Sequence, residues 1–487
     1  MNALLAACLA LPLAAGTAPA AARSCGGAPS DFDGDRRADL VVAAPYDDRR
    51  AGSVTVLYGD GRTVRLVQDE PEPGDAFGSA LAVGEFDGDG CADLAVGVSE
   101  EFADERVPGA DGNGAVELFH GSPDGLRPAG RLTLPEPSSD RFGAALAAGD
   151  LDGDGRDELA VGAPTRGRGG AVTVYWMKGR DRQEITQRTG WVRQAAAVTD
   201  QWGAALAAGD FDGDGRDELA VGAPADTVTQ DGQGSVTVLD PARRRALALT
   251  QSSPGVKGSA EKWDGFGAAL ATGDFDADGR DDLAVGVPGE GLSARQRAMD
   301  YGDGAVHVVY GGPAGLRGAR TEMWTQRLLK GEPRYYDRFG AALAAGDFNG
   351  DGDDELAVGV PGENAVQVLA AGRSGGLTRR GDAVVKGRGW VPAALPGGRA
   401  ARGSGRGDGR GGGHGGGHGG GHGDGHGDGH GDGHGGGHGD GLVVADPERG
   451  AVWYVPGMRR PGPYAGVRPG AARRLGSGPG LYGYALG

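Results

Sequence analysis

Carboxylate side chains recur at fixed spacing in six short stretches of this 487-residue chain. Each stretch follows the pattern D-x-D-x-D-x-x-x-D/E with few changes, and the six begin at residues 31, 85, 150, 210, 274 and 347. Alternate residues of a tight turn can point inward together, and Ca²⁺ takes about six to eight oxygen ligands. Without a metal, each close pair of carboxylates repels by about 1 kcal/mol even in water. We call these stretches the acidic loops and predict calcium in up to six of them.

Side-chain oxygens occupy loop positions one, three, five and nine. Position seven varies in residue type, as expected if only its backbone carbonyl binds the metal. The predicted metal residues, loop by loop, are Asp31, Asp33, Asp35, Arg37 and Asp39; Glu85, Asp87, Asp89, Cys91 and Asp93; Asp150, Asp152, Asp154, Arg156 and Glu158; Asp210, Asp212, Asp214, Arg216 and Glu218; Asp274, Asp276, Asp278, Arg280 and Asp282; and Asp347, Asn349, Asp351, Asp353 and Glu355. Magnesium fits less well, because it keeps bound water in strict octahedral geometry.

A helix–loop–helix calcium site is the obvious alternative, because it uses a similar run of acidic residues. That site needs a bidentate Glu at position twelve, between two helices. Position twelve is valine in all six acidic loops: Val42, Val96, Val161, Val221, Val285 and Val358. These valines lie in apolar runs typical of strands, so the acidic loops are predicted to be β-hairpin loops.

A second element follows each acidic loop, a β-branched alternation that predicts a strand. It occurs seven times, beginning at Ser53, Ala115, Ala171, Ser235, Ala305, Ala365 and Ala451. Seven such strands and six acidic loops indicate that a seventh loop was lost. The run from Leu442 to Pro447 matches the LAVGAP that follows each loop, and a Gly/His-rich tract stands where the loop should be. The leading half of this seventh repeat is assigned to Val391–Leu395.

The Gly/His-rich tract belongs to a low-complexity insertion over residues 398–441. Its histidines recur at every fourth residue: His414, His418, His422, His426, His430, His434 and His438. Glycine at most intervening positions rules out the stable helix that a metalloprotease motif needs. Imidazole suits zinc, nickel and copper, so weak binding of these metals is expected, with neutral repeat expansion as the alternative.

A longer motif surrounds the acidic loops. Residues 140–164 read DRFGAALAAGDLDGDGRDELAVGAP, and related sequences occupy residues 75–98, 200–224, 264–288 and 337–361. This combination resembles the FG-GAP repeat of integrin α subunits and of many secreted bacterial proteins. The resemblance implies an all-β fold, a seven-bladed β-propeller with four-stranded blades, calcium loops between the first two strands of a blade, and ligands on the opposite face. The first copy lacks its leading half and Leu481–Leu486 resembles one, so a C-terminal strand is predicted to close the first blade.

The N-terminal sequence indicates export. An apolar run from Leu4 to Ala15, followed by small residues, predicts a signal peptide over residues 1–22 and a secreted, extracellular protein. The propeller is then predicted as a single domain over residues 26–487. No other stretch reaches the ~20 apolar residues of a membrane span. The mature chain keeps Cys25 and Cys91, which predicts a disulfide, with two unrelated thiols as the alternative.

Charge and motifs restrict the function. A net charge of −18 argues against nucleic acid as a partner. No catalytic or cofactor-binding residue is predicted: Gly372–Gly376 matches G-x-S-x-G but occupies a turn position of the repeat. We predict a monomeric module that binds or adheres to an extracellular protein or glycan. Trp263, Tyr335 and Tyr336, just before FG motifs, are candidate contact groups, with variable loops that have no partner as the alternative. The alternatives are a non-catalytic propeller related to a phospholipase D-type hydrolase and a structural cell-envelope protein.

Overall fold

A computed structural model describes residue 25 and residues 29–101, 112–134, 139–179, 181–292, 302–317, 320–330, 333–372, 375–395, 440–446, 451–457, 467 and 472–477. These residues form seven antiparallel sheets with very little helix, and the chain is a seven-bladed β-propeller. Six of the sheets have four strands, and three strands of the first sheet are described. The all-β, seven-bladed prediction is confirmed.

Each blade takes its strands from consecutive sequence. Blades one to three contain β1 (Leu40–Ala44), β2 (Ser53–Leu57) and β3 (Thr63–Leu66); β4 (Phe77–Gly84), β5 (Asp93–Val98), β6 (Ala115–His120) and β7 (Arg127–Leu132); and β8 (Ala145–Gly149), β9 (Glu158–Ala163), β10 (Ala171–Trp176) and β11 (Asp181–Ile185). Blades four and five contain β12 (Ala205–Gly209), β13 (Glu218–Ala223), β14 (Ser235–Asp240) and β15 (Arg245–Leu249); and β16 (Ala269–Gly273), β17 (Asp282–Val287), β18 (Ala305–Val309) and β20 (Thr321–Trp324), with the short β19 (Pro313–Leu316) before β20. Blades six and seven contain β21 (Leu343–Gly346), β22 (Glu355–Val360), β23 (Ala365–Gly372) and β24 (Gly376–Lys386); and β25 (Val391–Leu395), β26 (Gly441–Asp446), β27 (Ala451–Val455) and β28 (Arg473–Ser477).

Helix within the described residues is limited to single turns at Asp47–Arg50, Gln326–Leu328 and Pro361–Glu363. None of these turns has the length or apolar character of a membrane-spanning helix.

The second strand of a blade follows directly from the acidic loop. All six residues of β9, ELAVGA, are buried, and the same holds for β13, β17 and β22. A strand covered on both faces favours a continuous apolar run over strict alternation. Gly209 at the end of β12 pairs with Glu218 at the start of β13, so the loop between them connects a hairpin, as predicted.

Neighbouring blades are joined where each FG motif begins. A glycine before the third strand of one blade, or before β2 in the first blade, forms a parallel bridge with the aromatic residue of the next motif. The pairs are Gly52 with Phe77, Gly114 with Phe142, Gly170 with Trp202, Gly234 with Phe266, and Gly304 with Phe339. A Cβ built at Gly234 would lie 2.3 Å from the Phe266 carbonyl oxygen, and φ there is +81°. Both the close approach and the backbone angle therefore require glycine.

The seventh blade forms although its acidic loop is lost. Its first strand is β25, the segment that the sequence assigned to it, and Leu395 pairs with Gly441 of β26. The predicted signal peptide, the histidine tract and Leu481–Leu486, the segment predicted to close the first blade, lie outside the described residues. Of the predicted insertion, only Asp440 and Gly441 are described.

Candidate metal loops

The carboxylate at position one organises the acidic loop. In the fourth loop, Asp210 Oδ1 accepts hydrogen bonds from the backbone N–H groups of Gly213 and Asp214 at 2.8 and 3.0 Å. Its Oδ2 accepts one from Gly215 at 2.9 Å. The same three contacts occur in the third loop and, through Glu85, in the second. Because the turn leaves these N–H groups without backbone partners, the carboxylate stabilises the loop conformation.

The carboxylate at position nine lies buried under the loop, at the start of the second strand. Glu218 accepts a hydrogen bond from the Phe211 N–H at 3.1 Å. Asp282 accepts from Phe275 and from Gly311, at 2.9 and 2.8 Å. Burial, reinforced by the carboxylates of positions one and three, raises the pKa of Glu218 and of Asp282 to about 8. Such a group is poorly stabilised as an anion unless a cation lies beside it.

Carboxylates of positions one and three lie close to this buried position-nine carboxylate. One oxygen from each of Asp31, Asp33 and Asp39 lies within 4.8 Å of the other two. The third loop brings Asp150, Asp152 and Glu158 together in the same way. The second loop groups positions one, three and five instead, as Glu85, Asp87 and Asp89. Calcium binds oxygen at about 2.3–2.6 Å, so ligands of one ion lie this close together. The donor set therefore fits a calcium ion.

The sixth loop departs from the others. Asn349 replaces the carboxylate of position three, and its side-chain amide donates to Glu355 Oε1. Burial and neighbouring carboxylates raise the pKa of Glu355 to about 10, and burial beside Asp351 raises that of Asp353 to about 7. The sixth loop thus has four carboxylates among its odd positions, but Asp353 at position seven supplies the one that position three lacks.

Five acidic loops contact a basic side chain of their own blade, near the end of its third strand or in the segment after it. The pairs are Asp33 with Arg62, Asp87 with His120, Asp154 with Lys178, Asp214 with Arg243, and Asp276 with Arg320. Lys178 Nζ lies 3.0 Å from Asp154 Oδ2, and Arg320 Nη2 lies 3.1 Å from Asp276 Oδ2. Each pair offsets part of the repulsion within its loop. The sequence prediction missed these residues, although the sequence has a basic side chain near the end of the third strand in successive repeats.

Position eight connects neighbouring loops and was also missed. Its carboxylate accepts a hydrogen bond from the position-one N–H of the preceding loop, in the pairs Asp157 with Glu85, Asp217 with Asp150, Asp281 with Asp210, Asp354 with Asp274, and Asp440 with Asp347, at 2.8 to 3.1 Å. The position-eight N–H donates back to the position-one carbonyl in the same pairs. Asp440 makes these contacts although its own repeat has lost the metal positions.

Position seven also reaches the preceding loop. A Cβ built at Gly88 would lie 2.6 Å from Arg156 Nε, and one at Gly153 would lie 2.8 Å from Arg216 Cγ. The position-four glycine is favoured by its own φ near +80°, and it also lets an arginine of the next blade pack close against the loop. The backbone carbonyls of position seven remain predicted metal ligands.

Cys25 and Cys91 are joined by a disulfide in the structure, with Cα atoms 4.7 Å apart. These are the two cysteines that the sequence pairs. Cys91 occupies position seven of the second loop and is fully buried. The bond links the segment before the first acidic loop to the second acidic loop.

Exposed aromatic side chains lie at the end of the blades away from the acidic loops. Trp263 and Tyr336 occupy the same position in successive repeats, three residues before the aromatic residue of FG, and are 52% and 46% exposed. Tyr335 is 45% exposed and meets Tyr336 edge to face, with ring centroids 4.8 Å apart. Two long connections follow the second strand of blades two and five, and their residues 102–111 and 293–301 lie outside the described residues.

Comparison with protein families finds the same repeats. The FG-GAP repeat model matches residues 77–118, 142–175, 202–239, 266–309 and 339–377. The FG-GAP-like repeat model matches residues 31–96. The matched segments contain all six acidic loops and five of the aromatic bridges between blades.

Curated relatives match over part of the chain. Integrin alpha pat-2 of Caenorhabditis briggsae is 31% identical over 253 residues, which cover 48% of this chain and 19% of the relative. Integrin alpha-IIb of Homo sapiens is 32% identical over 247 residues, which cover 49% of this chain and 22% of the relative. Phosphatidylinositol-glycan-specific phospholipase D of Rattus norvegicus is 32% identical over 182 residues, which cover 33% of this chain and 21% of the relative. The matched part of this chain spans about a fifth of the length of these relatives.

Proposed function

The chain belongs to the FG-GAP repeat proteins, and we propose that it is a secreted, calcium-binding propeller that acts as a non-catalytic binding module for an extracellular protein or glycan. One observation carries the calcium assignment: in the first and third loops, a buried carboxylate at position nine lies within 4.8 Å of the carboxylates of positions one and three. A cation would stabilise the ionised form of such a group, and hard oxygen donors at this spacing suit calcium.

Calcium would act as a structural ion in this proposal. It would neutralise the loop carboxylates at one end of each blade, while the position-eight hydrogen bonds join each loop to its neighbour. A ring stiffened in this way presents the connections at the other end of the blades in a fixed arrangement. Preorganised loops bind with a smaller loss of conformational entropy.

The binding role rests on the integrin alpha relatives and on the exposed aromatic residues. Trp263 and Tyr336 stand at equivalent positions of successive repeats, at the end of the blades away from the acidic loops. Large aromatic side chains contribute strongly to protein interfaces. Their placement supports this end of the propeller as the binding face.

The experiment is a binding screen of the purified protein against extracellular proteins and glycans, in calcium and in chelator. We expect a calcium-dependent partner whose binding is weakened at least about tenfold by Trp263→Ala or Tyr336→Ala, as for an interface hot spot. Val64→Ala, at a 39% exposed position on β3, is the control and should bind normally. Equal binding by all four proteins would contradict the assignment of the binding face.

The similarity to phospholipase D supports a second candidate, a propeller that assists a hydrolase without catalysing the reaction itself. An activity assay with a panel of phospholipid and ester substrates tests whether this chain is itself a catalyst, which both the binding module and the hydrolase-associated propeller exclude. Turnover by the purified protein would overturn the non-catalytic assignment. Binding to a lipid-anchored substrate without turnover would favour the hydrolase-associated role.

A further inference from the structure

The second acidic loop differs from the others in the basic residue that it contacts. Arg62, Lys178, Arg243 and Arg320 contact four other loops as cations and have no lone pair to offer a metal at neutral pH. His120 takes their place in the second loop. A neutral imidazole is a good ligand for zinc and related metals, so only in this pair can the basic partner become a metal ligand.

Three elements bring the candidate ligands together. Asp87 lies in the acidic loop, Asp93 begins β5, and His120 ends β6. The pairing of Leu94 with Phe119 places Asp93 and His120 side by side on adjacent strands. His120 Nδ1 lies 2.7 Å from Asp87 Oδ2, and ligand atoms of all three residues lie within 4.8 Å of one another. The site is thus held by strand register as well as by the loop.

A cavity of about 500 Å³ adjoins this cluster, between the second and third blades. Asp87 and His120 line it on one side, and Tyr175 and Trp176 of β10 line it on the other. Tyr175 is 9% exposed, and its ring packs edge to face against Phe142. Arg131 and Arg156 also line the cavity, so charged as well as aromatic side chains border the space beside the cluster.

We propose that Asp87, Asp93 and His120 form a mixed nitrogen–oxygen site for a divalent transition metal such as Zn²⁺, with its remaining coordination positions open to the cavity. Two carboxylates and one imidazole match the donor set and the low coordination number that zinc prefers. Calcium prefers more ligands, all of them oxygen. The inference rests on the proposed role of the acidic loops as metal sites and assigns one of them a different metal.

The test is the zinc affinity of the full chain in saturating calcium, measured by the zinc-induced rise of the unfolding midpoint. We expect His120→Gln to weaken this zinc effect by about tenfold or more, because changing even an outer partner of a metal ligand can cost that much. Lys178→Gln changes the corresponding residue of the third blade and should respond to zinc like the wild-type chain. Zinc held by the histidine tract is common to all these proteins, so their difference isolates His120. A zinc response that His120→Gln leaves unchanged would overturn the proposal.

A second variant and a direct measurement of the metal position distinguish loss of the zinc site from misfolding of the first variant. Asp87→Asn keeps the size of the side chain and should lose the zinc effect as His120→Gln does. In crystals grown with calcium and zinc, anomalous scattering at the zinc edge should give a peak beside His120 Nδ1 that the variants lack; a calcium ion there instead would overturn the proposal. Calcium stabilisation from the other loops should persist in both variants. A failure of the calcium assignment itself would remove that stabilisation from every protein, including the wild-type chain.

Discussion

The Asp217 carboxylate accepts a hydrogen bond from the backbone N–H of Asp150 at 3.0 Å, although the two residues are 67 positions apart in sequence. The Asp217 N–H donates in return to the Asp150 carbonyl at 2.9 Å. Asp150 is position one of the third acidic loop, and Asp217 is position eight of the fourth. The two contacts therefore connect the loops of adjacent blades next to their candidate metal ligands.

Replacing Asp217 with alanine should lower the free energy of unfolding by about 1–3 kcal/mol, because the Asp150 N–H is left without its partner. Urea unfolding in excess calcium measures the change. Asp124→Ala removes a carboxylate that is 82% exposed and should change stability by less than about 0.5 kcal/mol. Equal stability of the two variants would show that the hydrogen bond between the loops contributes nothing.

Gly234→Ala should destabilise the contact between blades four and five. Its Cβ would lie 2.3 Å from the Phe266 carbonyl oxygen, at φ +81°. Gly61→Ala introduces a Cβ at φ +95° with no atom within 4 Å, so it imposes the backbone strain without the clash. Gly61→Ala should cost about 1–2 kcal/mol from the left-handed backbone alone.

The clash should make Gly234→Ala worse by at least another 1–3 kcal/mol, as for other overpacked sites. Thermal or urea unfolding of both variants gives the comparison. Similar losses in the two would mean that the blades separate enough at this bridge to accept a methyl group.

Arg243→Gln should tighten calcium binding at the fourth loop. The Arg243 guanidinium contacts Asp214, and its Nη1 lies 3.9 Å from Asp212. Removing a unit charge at this distance changes the attraction for a cation by about 1 kcal/mol or more, which is about fivefold in affinity. Calorimetric calcium titration of Arg243→Gln beside Arg244→Gln, a change at the exposed neighbour, measures the effect. Weaker calcium binding in Arg243→Gln would contradict a competing role for this arginine.

The buried carboxyls predict a pH dependence of opposite sign with and without metal. Burial, aided by neighbouring carboxylates, raises the folded-state pKa of Glu158, Glu218 and Asp282 to about 8, above their ordinary values of 4.5, 4.5 and 3.8. A group with a raised pKa stabilises the folded state while protonated and loses that contribution as pH rises through the folded value. In chelator, the unfolding midpoint should therefore fall as pH rises from about 4.5, near the unfolded values, to about 8, the folded value, and should change little above it.

In excess calcium the midpoint should hold or rise over the same range, because calcium replaces the protons on these carboxyls. Unfolding in both media, with Glu218→Gln as the variant that removes one such group, checks the sign. A stability in chelator that rises with pH would show that these carboxyls titrate near their ordinary values.

The hairpin around each acidic loop was predictable from the sequence, and the side-chain contacts that reach beyond that hairpin were not. The hairpin around Asp210–Glu218 follows from the apolar run after the acidic loop, and β25 is the segment that the sequence assigned to the leading half of the seventh repeat. Asp217 contacts a group 67 residues away in the neighbouring blade, a pair that depends on how the blades pack. Arg243 contacts Asp214, 29 residues away in its own blade, a pair that depends on how the strands of that blade pair. His120 was missed because the sequence alone does not show that the strand register places it beside Asp87.

The number of calcium ions bound per chain tests the account most directly. Equilibrium dialysis followed by metal analysis should find five or six ions on the wild-type protein, since all six acidic loops keep a carboxylate at position nine and the second is the proposed zinc site. The triple variant Asp150→Asn, Asp152→Asn, Glu158→Gln should bind one ion fewer and otherwise unfold cooperatively. Less than one calcium ion per chain, or an unchanged number in the triple variant, would contradict the claim that the acidic loops are calcium sites.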